Sequence, residues 1–155
     1  MITPTIEIRQ ALYRRLLCAL PICGLTENDI AWPNASFKTT VKKTYLAPFC
    51  LFGETEMASL SSSGFELLAG VFQITIFGLL HEGEAHMENI ARELVELYRS
   101  GTRIDVPGYE KLLINQAYRG NMTLDTGGRN DMSSEMARPQ LVVSAHWQHY
   151  VSKGE

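Results

Sequence analysis

Histidine, cysteine and clustered carboxylates are the side chains able to bind a metal or move a proton. The chain carries four histidines, His81, His86, His146 and His149. His81 and His86 are five residues apart, which sets them off a common helical face. His146 and His149 are three apart in a segment that reads as a strand, so they are expected on opposite faces. The plainer reading of all four is structural or solvent-facing histidine.

Three cysteines, Cys18, Cys23 and Cys50, form no CxxC and no Cys/His pair. Buried, reduced thiols are expected, in keeping with a reducing compartment; a metal or redox site is the sharper alternative. Glu84, Glu88, Glu93 and Glu96 recur along one predicted helix and read as its solvated side. Asp125 and Asp131 flank Arg129 without the ligand rhythm of a calcium loop. The chain has no GxGxxG, phosphate-binding GxxxxGK[ST], GxSxG or HExxH string. No catalytic residue, cofactor or metal is expected from these patterns.

The elements that would position such groups can be read from periodicity. At 155 residues a single domain is expected. With 45% apolar and 20% charged residues, a globular core is within reach. A net charge of −3 gives no basic footprint for nucleic acid. No apolar signal core and no span long enough for a bilayer is visible, so no membrane association is expected.

Thr3 and Pro4 read as the cap and first position of a helix whose stripe is Ile8, Leu12, Leu16 and Ala19, ending near Leu20 before Pro21. Residues 21–43 are broken by Pro21, Gly24, Asn28, Pro33 and Asn34. Tyr45 to Phe52 reads as a strand that Pro48 assigns to an edge or a bulge. Leu67 to Leu79 is the clearest strand: Phe72, Ile74 and Ile76 alternate with Val71, Gln73 and Thr75. Gly70 and Gly78 mark a bulge or a close neighbour. Met87, Ile90, Ala91, Leu94 and Tyr98 give a second helix, with Gly101 as its cap. Residues 103–106, 109–118 and 140–151 are further strand candidates. The spans 53–63 and 119–138 read as flexible loops. This order predicts an α+β fold, a mainly antiparallel sheet with two principal helices packed on one face.

Trp32-Pro33-Asn34, with Phe37 three residues on, places two large aromatics in a connector. Proline pushes Trp32 toward an extended conformation, and Asn34 can close a turn through its side chain. The four residues are expected to anchor this crossing segment to the domain; a protein-contact surface is the alternative.

In order of elements the chain resembles the phage tail terminator-like proteins, the group that includes the lambda tail terminator. "IAWPNASF" matches a Trp-Pro-Asn-x-x-Phe signature of that group, "GVFQITIF" its Gly-x-Phe/Tyr-Gln-Ile strand, and "GEAHMENIARELVELYRSGTRI" the helix that follows. The likeness covers most of residues 1–106, and the closing strands fit more loosely. It implies a structural protein, not an enzyme. Such a protein would form a homo-oligomeric, hexameric ring that caps a completed tail tube, stops its polymerisation and presents a surface to the head-side connector. Partners implied are further copies of itself, the tail tube protein and the head–tail connector protein. The setting implied is the bacterial host cytoplasm during assembly, then the virion tail. Arg119, Asp125, Arg129 and Asp131 are candidate partner contacts in the 119–138 span. A neck or head-completion protein and a small cytosolic enzyme with a site formed only on folding are the competing readings.

Overall fold

The computed structural model describes residues 4–37, 43–57, 64–79, 84–125 and 138–152. The chain forms an α+β fold. Helix α1 (Thr5–Ala19) is followed by a single 3-10 turn (Glu27–Asp29) and strands β1 (Tyr45–Phe52), β2 (Glu56–Met57) and β3 (Phe65–Phe77). Helix α2 (Ala85–Leu97) precedes β4 (Arg103–Ile104), β5 (Leu112–Arg119), β6 (Thr123–Asp125) and β7 (Arg138–Ser152). The sheet runs β1-β3-β7-β5-β4, with β2 against β3 and β6 against β7, and all these pairings are antiparallel.

Helix α1 forms because Ile8, Ala11, Leu12, Leu16 and Ala19 make one buried stripe. It begins one residue later than the sequence suggests: Pro4 is the capping residue, its carbonyl accepts the Ile8 N–H at 2.9 Å, and Thr5 is the first helical residue. The predicted cap Thr3 lies outside the described residues. Pro21 supplies no N–H, and the chain turns back through Gly24 at φ +73°, with the Leu25 N–H on the Leu20 carbonyl at 2.9 Å. Helix α2 buries Met87, Ile90, Ala91 and Leu94. It stops at Leu97, and the Tyr98 N–H closes on the Leu94 carbonyl. Gly101, expected as the cap, instead lies in the following turn at φ +87°, where its N–H pairs with the Ile114 carbonyl.

Both helices cover the same sheet face. The Phe72 ring of β3 meets Tyr13 of α1 at 5.7 Å and Tyr98 of α2 at 5.5 Å. The Tyr98 hydroxyl donates to the Leu12 carbonyl at 2.7 Å, and Arg15 donates to the Leu97 carbonyl at 2.9 Å at the C-terminus of α2. Beneath them lie Leu46, Cys50, Leu68, Ile74, Ile76 and, from β7, Leu141, Val143, Ala145 and Trp147.

The register explains both strand glycines. Gly70 stands opposite Trp147, and a Cβ on it would strike the Leu51 carbonyl oxygen and the Trp147 ring. A Cβ on Gly78 would strike the Met87 sulfur of α2. Both are sites of close approach. Pro48 lies in β1, which ends the sheet on one side.

Two of the expected loops contain strand. Within 53–63, Glu56 and Met57 pair with Leu67 and Glu66. Within 119–138, Arg119 ends β5, Thr123–Asp125 pair with Gln140, Pro139 and Arg138, and Arg138 opens β7. The two described ends of the long span are therefore paired with each other. Residues 58–63 and 126–137 lie outside the described residues.

Candidate functional site

Alternation along the strands builds a second sheet face, and among the described residues no helix lies on it. Tyr45, Ala47, Phe49 and Leu51 of β1 point there, beside Val71, Gln73, Thr75 and Phe77 of β3. From β7 come Val142, Ser144, His146, Gln148 and Tyr150, and from β5 come Gln116 and Tyr118. The far end is closed by stacked side chains. Phe37 packs on Tyr45 at 4.7 Å, Tyr45 on Phe77 at 4.8 Å, and the Arg138 guanidinium lies 4.9 Å from the Tyr45 ring centre. Arg138 is buried and donates to the carbonyls of Lys43 (2.9 Å) and Gly78 (3.4 Å), tying together the ends of β1, β3 and β7. Sequence reasoning missed this residue, because it sits at the rim of a polar span.

Away from that end no described residue covers the face. Phe49 is 51% exposed, Leu51 42%, Tyr118 46% and Tyr150 45%, with Phe65 at the margin. Polar groups interleave them. Tyr118 stacks on His146 and its hydroxyl lies 3.2 Å from the ring Nε2; the Asn115 amide donates to Gln148 at 3.3 Å. Among the described residues this face alternates exposed aromatic and amide groups, the composition of many protein-contact surfaces.

His149 is on the core face, as the three-residue spacing predicts, and its Nε2 donates to the Glu110 carbonyl at 2.6 Å. Its Nδ1 is buried without a partner, and burial holds its pKa below the ordinary histidine value. His86 is exposed at the start of α2, and His81 lies outside the described residues. All three cysteines are free thiols. Cys23 and Cys50 are buried, but Cys18, expected inside, is exposed on the outer side of α1. Burial pushes the Cys50 thiol up to about 11, overriding the Arg9 charge and the adjacent Trp147 indole, so it is not a nucleophile at neutral pH. Among the described residues no three His, Cys, Asp or Glu side chains gather as metal ligands, and no helix is long and apolar enough to cross a membrane.

The connector expected to act as an anchor is divided between the two faces: Phe37 packs on Tyr45 of the second face, and Trp32 lies on the helical side. Trp32 is half-buried and packs on Tyr13 with ring centres 4.8 Å apart. Asn34 is left-handed at φ 57°, and the turn closes through the main chain, Ala35 N–H to Trp32 carbonyl at 3.3 Å. The same connector runs beside β1: the Ala31 N–H bonds the Leu46 carbonyl at 2.7 Å, and Asp29 accepts from Lys43 at 2.8 Å and from the Thr26 amide at 2.9 Å. Of the four candidate contact residues, Arg119 leaves the predicted loop altogether. It pairs with Glu88 of α2 at 3.1 Å, on the helical side of the sheet. Asp125 belongs to β6, while Arg129 and Asp131 lie outside the described residues.

Three surface cavities are lined by described residues, of about 520, 630 and 370 Å³. Among the described residues none has a histidine in its wall. The first lies between Arg9, Tyr13, Trp32, Phe49 and Cys50, the second beside Arg103, Glu110 and Tyr150, and the third between the two helices near Arg15 and Glu96.

A search of the curated proteins finds no match to the chain. A solved protein structure 18% identical in sequence superposes with a TM-score of 0.64 and covers 92% of this chain and 93% of that one, a likeness of fold. The family described as phage tail terminator protein matches residues 7–131, most of the chain. The chain belongs to the phage tail terminator family.

Proposed function

We propose that this chain ends tail assembly by forming a homo-oligomeric ring, hexameric in the finished tail, on the last layer of the tail tube. The ring blocks addition of further tube protein and gives the head-side connector protein a surface to join. It acts in the bacterial host cytoplasm during assembly and stays in the virion tail. Family membership is the observation that carries the reading. The helix-free sheet face supports it, because a closed ring needs two complementary surfaces on every subunit and this face presents Phe49, Leu51, Tyr118 and Tyr150 to solvent.

The test is a phage or prophage lacking this chain, complemented with wild type or with Leu51→Asp/Tyr118→Asp, and examined by electron microscopy. Tails of variable, excessive length without heads are expected in the null and in the double variant, with uniform joined tails in the wild type. Uniform joined tails in the null would reject the capping role. Uniform joined tails in the double variant would reject this face as the assembly surface.

A further inference from the structure

The outer edge of β1 is only half occupied. The Gly53 N–H bonds the Ala69 carbonyl, which continues the β1–β3 register, so odd-numbered β1 residues point their main chain at β3. The even-numbered residues Leu46, Pro48, Cys50 and Phe52 then point theirs outward. Leu46 is taken by Ala31, and Pro48 has no N–H to offer. Among the described residues nothing pairs with the outward groups of Cys50 and Phe52.

The 520 Å³ cavity lies against this free stretch. Its wall includes both Phe49 and Cys50. Neighbouring strand residues point to opposite faces, so a space touched by both lies on the strand edge and not over either face. Tyr13 and Trp32 supply an apolar wall, and Arg9 supplies a cation. Arg9 rests over the Phe52 ring at 5.5 Å and makes no ion pair among the described residues. Main-chain donors and acceptors on one side, aromatic surface on the other and an unpaired guanidinium between them form one recognition set.

The geometry points to the Cys50–Phe52 edge and the Arg9–Tyr13–Trp32 cavity as a docking site for an extended segment of a partner protein. That segment adds as a strand to β1 and sets a carboxylate on Arg9, with its next side chain on Phe49. Charge complementarity selects the occupant: among the described lining residues Arg9 is the charged group, and a planar guanidinium takes a carboxylate through two parallel hydrogen bonds. Phe49 is shared with the proposed ring face, but Arg9, Tyr13 and Trp32 are not, so Arg9→Glu is expected to leave a measurement of oligomeric state unchanged.

The probe is a set of fluorescein-labelled hexapeptides of alternating valine and threonine, with one glutamate moved along the chain. Fluorescence anisotropy and amide hydrogen exchange read the outcome. At least one glutamate peptide should bind wild type roughly tenfold more tightly than its lysine counterpart. Arg9→Glu, an exposed position in the first helical turns, should reverse that preference. N-methylation of the peptide amide facing Cys50 should abolish binding, and the Cys50 and Phe52 amides should exchange more slowly in the complex. Equal binding of glutamate and lysine peptides, insensitivity to Arg9→Glu, or no binding by any peptide at millimolar concentration would overturn the proposal. Concentration-dependent self-association that Arg9→Glu abolishes, with no peptide bound, would overturn it in favour of a second copy of this chain as occupant.

Discussion

Gly70→Ala is a direct test of how the sheet accepts its largest buried side chain. Gly70 faces the core from β3, opposite Trp147 of β7 and Phe52 of β1. An added Cβ would lie 2.5 Å from the Trp147 Cζ2 and 2.8 Å from Cε2, and closer still to the Leu51 carbonyl oxygen. Carbon atoms pack best at about 3.5–4.0 Å, so the indole must move by roughly 1 Å. It has nowhere to go: Trp147 is fully buried, with the Phe52 ring edge-on at 5.4 Å. Overpacking costs about 1–3 kcal/mol, and losing the ring pair adds about 0.5–1.5 kcal/mol. A total of about 1.5–4.5 kcal/mol is a large part of the ~5–15 kcal/mol that stabilises a domain. Urea unfolding followed by circular dichroism measures it. Trp147→Leu removes the obstructing ring, so Gly70→Ala should cost at least ~1 kcal/mol less in that background. A Gly70→Ala variant within about 0.5 kcal/mol of wild type, or two strictly additive substitutions, would refute the close-approach argument.

Trp32→Ala should cost about 1–2 kcal/mol by the same assay, since a half-exposed ring stacked on Tyr13 contributes less than a core aromatic, for which about 3–5 kcal/mol is usual. A loss in the core range would mean that the ring is better buried than it is here. Burial acts to raise the Asp29 pKa, but the hydrogen bonds and charge of Lys43 and the Thr26 bonds together hold it below the ordinary carboxylate value. Its stabilisation is therefore complete at neutral pH and lost as pH falls through and below about 4. The gap in unfolding free energy between wild type and Asp29→Asn should shrink between pH 7 and pH 3; a constant gap contradicts the assignment. His149 works from a depressed pKa, so the unfolded chain binds its proton first and stability falls as pH drops below about 6.5. His149→Leu should flatten the pH 5–7 part of the profile, and an unchanged slope would place the titration elsewhere.

The elements most legible in the sequence were those with long, regular patterns. Phe72, Ile74 and Ile76 alternate as the core row of β3, and Met87 to Tyr98 form the buried stripe of α2. Pro48 marked β1 as an edge because a missing N–H is tolerated only where no strand lies beside it. What escaped depended on register between distant segments. β2 and β6 are two and three residues long, too short for a period, and exist because β3 and β7 run past them. Arg119 reads as the first residue of a polar loop, yet pairing with β7 turns it toward Glu88. The helix-free face was half visible, as the polar row Val71, Gln73 and Thr75, but its extent depends on Tyr118, His146 and Phe49 arriving from three other strands. Arg138 carried no signal, since it meets the Lys43 and Gly78 carbonyls and the Tyr45 ring only once distant segments are brought together.

The proposed ring of identical subunits on a tube end can be weighed. Light scattering coupled to size exclusion, with the purified chain alone and then with assembled tube protein, gives its mass. Tube-bound protein is expected at six copies per tube end, with a mass six times 17.4 kDa for any ring released from it. A chain that stays at 17.4 kDa in the presence of tubes, and neither binds their ends nor halts their growth, would contradict it.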